Sequence, residues 1–135
     1  MEGAKGKTAN AARVALPSAG RYVERMLVEA TTETFDGLLG QAAHDLVVLY
    51  FCGPNCPNCE VFAKDAPELI GALPADVRVI KINAYEHTEV AQRYGLYGVP
   101  AFVLVRDGKR LGMMRQYYGR EYWETVISEQ RAATQ

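Results

Sequence analysis

The sequence predicts an α/β domain in which helices flank both faces of a mixed central β-sheet. Three observations carry that expectation. The run Leu46 to Phe51 (LVVLYF) is continuously apolar, the pattern of a central strand buried on both faces. Strand-like and helix-like segments alternate through the early part of the chain, which favours parallel pairing. Near the end, Asp107-Gly108 joins two strand-like runs, and so short a connection forces an antiparallel pair. The chain has 135 residues, 49 % apolar and 23 % charged, which suits one domain with a core of its own.

Taken in order, residues 1–20 are small and polar and read as a flexible tail, leaving 21–135 as the domain. Lys5, Lys7 and Arg13 outnumber Glu2 in that tail, a balance that also suits a mitochondrial transit peptide. Val14-Ala15-Leu16 is too short for the about 7–15 apolar residues of a secretory signal. Tyr22 to Val28 alternates as a short strand. Thr32 to Gln41 reads as a helix, with Thr31 or Thr32 as cap and Phe35, Leu38 and Leu39 at helical spacing. After the buried strand, Cys56 to Leu73 reads as a second helix, with Val61, Phe62, Leu69, Ile70 and Leu73 facing inward. Pro67 should kink or interrupt it. Val77 to Ile82 is another inner strand, and Thr88 to Tyr94 a short helix that Gly95 ends in a left-handed conformation. Ala101 to Val105 and Lys109 to Arg115 form the hairpin. Arg120 to Ala133 is a closing helix, apolar at Trp123, Val126 and Ile127.

The chemistry concentrates in one place. All three cysteines lie between positions 52 and 59, too few and too close for a disulfide scaffold. A bridge between near neighbours closes almost no loop and stabilises little, so such crowding points to chemistry or metal. Cys56-Pro57-Asn58-Cys59 falls between the buried strand and the following helix. Pro57 suits the first helical position, where a missing N–H costs nothing. Cys56 then becomes the N-cap, beside unpaired backbone N–H groups and the positive end of the helix dipole. Both stabilise a thiolate and lower its pKa. Two intervening residues let Cys59 reach back to Cys56, so Cys56 can attack a disulfide and Cys59 can resolve the product. The acid Glu60 opposes thiolate formation.

At these residues the chain resembles the thioredoxin family, over roughly Tyr22 to Ala133. The second motif of the resemblance is Gly98-Val99-Pro100, whose proline follows Cys59 by 41 residues at the family's spacing. The resemblance implies a thioredoxin-like fold, with Pro100 cis and set against the cysteine pair, where it keeps metal out. It also implies that Val99 offers its backbone to an extended substrate segment, with Pro57 and Asn58 beside it at the substrate surface. Lys81 stands where the family often has a lysine beneath the active site. Other positions depart from the pattern. Asn55 and Cys52 replace two tryptophans, Pro57-Asn58 replaces Gly-Pro, and Gln116 replaces a glycine that opens the substrate surface. Tyr50 stands where thioredoxins carry a buried aspartate that assists proton transfer to the resolving thiol. Tyr50, Cys52 and Lys81 are therefore expected to tune the site.

The expected function is thiol–disulfide exchange on protein disulfides, with Cys56 as nucleophile and Cys59 as resolving thiol. No cofactor is expected in the domain. An external thiol reductant, such as a thioredoxin reductase, would recycle the pair. A net charge of −1 argues against nucleic acid, and no apolar run approaches the about 20 residues that span a bilayer. A cytoplasmic monomer is the expectation. Rival readings are a redox-inactive adaptor on the same fold and a disulfide oxidant or isomerase. The spacing Cys52-x₃-Cys56-x₂-Cys59 also fits an iron–sulfur cluster. Zinc needs a fourth ligand, and His44 and His87 read as solvated surface residues. Cys52 either packs as the end of a buried strand or exchanges with Cys56.

Overall fold

A computed structural model of the chain describes residues 27–133. Among them the elements follow the expected order: β1 (Leu27–Ala30), α1 (Phe35–Gln41), β2 (Leu46–Cys52), α2 (Pro57–Gly71), β3 (Val77–Asn83), α3 (Thr88–Arg93), β4 (Ala101–Arg106), β5 (Lys109–Met114) and α4 (Arg120–Ala133). The tail expected over 1–20, and the part of the first strand expected over 22–26, lie outside the described residues. The strand's described part runs on to Ala30.

The five strands lie in the order β1-β3-β2-β4-β5. β1 and β2 run parallel to β3, β4 runs antiparallel to β2, and β5 closes the hairpin on β4. All seven residues of β2 are buried, because each face of the sheet carries helices. Leu46, Val48, Tyr50 and Cys52 point to the face packed by Phe62, Leu69 and Ile70 of α2 and by Trp123 and Ile127 of α4. Val47, Leu49 and Phe51 point the other way, to Phe35 of α1 and Val90 and Ala91 of α3. Each such apolar side chain contributes about 1.5–3 kcal/mol on burial. Asp107 and Gly108 take φ of 53° and 77° in the hairpin turn, the left-handed pair that a two-residue turn of this hand requires.

Three local expectations are corrected. α1 starts at Phe35, not Thr32, because a turn forms first. The Thr31 hydroxyl accepts the Thr34 N–H at 3.1 Å, and the Thr31 carbonyl accepts the Phe35 N–H at 3.0 Å. Pro67 does not interrupt α2, which continues to Gly71. Pro67 and Ala63, whose carbonyl the missing N–H would have met, both lie on the exposed side. Val61 is 49 % exposed instead of buried, because the inward stripe runs through Phe62 and the next residue N-terminal to it turns outward. Gly95 does end α3's turn at a φ of 65°.

Candidate active site

The site forms where β2 ends. Because β2 and β4 are antiparallel, with Phe51 opposite Ala101, the exit of one strand adjoins the entrance of the other. Pro100, the residue before Ala101, therefore stands beside the segment that leaves β2. That segment turns through Gly53-Pro54-Asn55 into α2. Asn55 has a φ of 53°, a left-handed conformation that asparagine tolerates better than most residues.

Cys56 is the N-cap of α2, with extended backbone angles of −121° and 97°. Its sulfur accepts the Cys59 N–H at 3.2 Å, and Pro57 occupies the first turn without an N–H to satisfy. Cys56 and Cys59 are joined as a disulfide with Cα atoms 5.2 Å apart. Each is only 7 % exposed. In the reduced pair, the same N–H and the helix dipole favour negative charge on Cys56. The Val99-Pro100 peptide is cis. Pro100 is buried, Val99 is half-buried against the core on both faces, and Pro57 is exposed.

Asn58, expected at the substrate surface, is half-buried, and its side-chain amide has partners within the chain. Its amide Oδ1 accepts the Tyr117 N–H at 2.7 Å and its Nδ2 donates to the Tyr117 carbonyl at 3.3 Å. The residue between the cysteines is thereby tied to the loop after β5. The Tyr117 hydroxyl donates to Asp65 at 2.5 Å, and Arg120 reaches both Asp65 and Glu68. Burial first, and then the Asp65 carboxylate, pushes the Tyr117 hydroxyl well above its usual range. No sequence pattern marks Asp65 or Arg120 as neighbours of the cysteine turn. The pairing of Asn58 spans 59 residues of chain, and no local pattern announces it.

The three residues expected to tune the site lie side by side. Tyr50 is buried, stacked on Phe102 at 5.1 Å between ring centroids and edge-on to Phe62 at 4.8 Å. Burial pushes its hydroxyl far up, so it holds its proton near neutral pH. No charged residue is buried among those described, so no carboxylate takes the place of the missing aspartate. Cys52 is 8 % exposed, and its thiol donates to the Ile82 carbonyl at 3.7 Å. Burial raises its pKa, and the charge of Lys81 pulls it the other way. Lys81 sits opposite Tyr50 in the ladder, half-buried.

His44 is exposed as expected, 3.2 Å from Asp107. His87 is not solvated. Its side chain is only 19 % exposed, and its Nδ1 accepts the Thr32 N–H at 3.1 Å. The loop before α1 covers it, a contact between residues 55 apart in the chain. Among the described residues, no three His, Cys, Asp or Glu side chains converge to hold a metal ion. No helix there is long and apolar enough to cross a membrane.

Comparison with known proteins agrees with this geometry. The thioredoxin family model matches residues 26–129. Protein disulfide-isomerase of Oryctolagus cuniculus is 31 % identical over 83 residues, 59 % of this chain and 16 % of that protein. The Gallus gallus protein disulfide-isomerase is 30 % identical over 83 residues, again 59 % and 16 %. The chain thus spans a small part of the length of these curated relatives. Among solved structures, thioredoxin f from spinach chloroplast superposes with a TM-score of 0.68 at 21 % identity, covering 82 % of this chain and 95 % of that one. Schistosoma mansoni thioredoxin gives 0.68 at 24 %, covering 76 % and 94 %. A complex of ferredoxin:thioredoxin reductase and thioredoxin f2 gives 0.70 at 22 %, covering 78 % and 96 %. These structures share the thioredoxin-like fold expected from the sequence.

Proposed function

The chain belongs to the thioredoxin family, and on that premise we propose that it reduces protein disulfides by dithiol–disulfide exchange. One observation carries the reading: Cys56 caps α2, its sulfur faces the Cys59 N–H, and Cys59 lies within bonding reach. In the reduced protein, the Cys56 thiolate attacks one sulfur of a substrate disulfide. A mixed disulfide forms and the other substrate sulfur leaves as thiolate, taking up a proton. The Cys59 thiol, on losing its proton, attacks Cys56 and releases the second substrate sulfur as a thiol. The substrate gains two electrons and two protons, and the chain ends as the Cys56–Cys59 disulfide. Pro100 shapes the site and Val99 docks the substrate backbone.

An external dithiol reductant returns the pair to its reduced form. Ferredoxin:thioredoxin reductase, found with thioredoxin f2, supports a partner of that class. A cytoplasmic monomer completes the proposal. A second reading, disulfide donation or isomerisation, is favoured by two facts: Tyr50 occupies the buried position without a carboxylate, and the curated relatives are protein disulfide-isomerases.

The test combines activity with a redox titration. The reduced protein should reduce insulin disulfides. Cys56→Ser should abolish turnover, and Cys59→Ser should trap a mixed disulfide through Cys56. A reduction potential near about −270 mV supports the reductase, and one near about −180 to −120 mV supports the second reading. Full activity in the double serine variant would overturn both.

A further inference from the structure

An aromatic ring stands against the turn that leads into the cysteine pair. A Cβ added to Gly53 would overlap Cδ2 and Cε2 of Tyr85 and come within 3.4 Å of Cγ2 of Val99. The Tyr85 ring thus lies on the bare backbone of Gly53, three residues before Cys56, and adjoins the Val99 side chain. Its seat is built. The Tyr85 and Glu86 N–H groups both donate to Asn83 Oδ1, at 2.9 and 3.1 Å, and the Ala84 N–H donates to the Cys52 carbonyl at 2.8 Å. These bonds tie the loop after β3 to the end of β2 and hold the ring in place. Yet Tyr85 remains 61 % exposed. It is an apolar face kept in water, continuous with the residue that docks substrate. Tyr97, two residues before Val99, is 92 % exposed and adds a second ring near the same strand entrance.

We infer that Tyr85 selects substrates, favouring extended polypeptide segments with a bulky apolar or aromatic residue next to the target cysteine. The inference rests on the reductase reading above and deepens it. A segment laid along Val99 in strand fashion places side chains alternately toward and away from the site. One of them meets the exposed face of Tyr85, where ring-on-ring contact adds to burial.

The experiment uses two peptide disulfides that differ only in the residue beside the cysteine, phenylalanine or serine. Each rate constant, kcat/KM, is divided by that for 5,5′-dithiobis(2-nitrobenzoate) on the same variant. The native protein should prefer the phenylalanine peptide by about fivefold, expressed in KM. Tyr85→Ala should erase the preference and Tyr85→Phe should keep it. Gly53→Ala, which dislodges the ring, should lower it. An equal ratio of the two peptides in native protein and Tyr85→Ala would overturn the inference while leaving the reductase reading intact. Native protein that reduces none of the three disulfides would remove that reading, and this inference with it.

Discussion

Replacing Asn58 by alanine removes the link between the cysteine turn and the loop after β5. The bond from the Tyr117 N–H is short, at 2.7 Å, and is assigned about 1.5 kcal/mol; the return bond, at 3.3 Å, about 0.5 kcal/mol. Tyr117 is 6 % exposed, so its N–H loses its partner in a place water reaches poorly, which brings the cost up to about 3 kcal/mol. Alanine returns about 0.5 kcal/mol through helix propensity in the first turn of α2. The net loss is about 2.5 kcal/mol. For a domain of this size that lowers the melting temperature by roughly 10 °C and the urea midpoint by about 1 M. The assay is urea unfolding of the oxidised protein, followed by Trp123 fluorescence. Asn58→Asp keeps the acceptor and loses the donor, so it should cost much less than alanine. An alanine variant within about 0.5 kcal/mol of the native protein would show that Asn58 braces nothing.

Three further outcomes are expected. Phe62→Ala should cost about 3–5 kcal/mol in urea unfolding, because its ring meets Tyr50, Phe102, Tyr117 and Trp123 at centroid distances of 4.8 to 5.2 Å. Stability should fall in alkali. Tyr50 and Tyr117 have folded pKa values raised above the ordinary 10.0, so the fold holds protons that the unfolded chain releases. Their contribution is intact below about pH 10 and is lost above it, by up to about 1.4 kcal/mol per pH unit per group; Tyr50→Phe should flatten the slope in urea midpoints taken from pH 8 to 11. The oxidised native protein should show no thiol reacting rapidly with 5,5′-dithiobis(2-nitrobenzoate) and one after denaturation, since Cys52 is buried and unpaired; a fast native thiol would mean that Cys52 reaches solvent.

The parts of this molecule legible in its sequence are those decided by near neighbours. Six apolar residues in succession, Leu46 to Phe51, belong to a doubly covered strand. The placement of Cys56 before Pro57 follows from what a helix start tolerates. Asp107-Gly108 specifies its turn through backbone angles that other residues resist. Distant partners decided the rest. His87 looks like a surface histidine until the Thr32 backbone covers it, and nothing near Asn58 in the sequence announces that the Tyr117 peptide takes both ends of its amide. The start of α1 differs from its expected place for a local reason: Thr31 and Thr34 form hydroxyl–backbone bonds that compete with the helix, a contest that residue spacing does not reveal. At the cysteine pair the local signal is strong, whereas nothing in the sequence around Tyr85 reveals that its ring lies on the bare backbone of Gly53, in a different segment of the chain.

The pairing of β5 with β4 shifts register between Leu104 and Val105, where Gly112 and Arg110 are the successive partners and Leu111 is skipped. The strand opens with Lys109 and Arg110, both exposed. A foreign chain trying to extend the sheet at this flank meets two cations and a twisted, interrupted row of backbone donors and acceptors. Strand addition is therefore disfavoured along that side of the sheet.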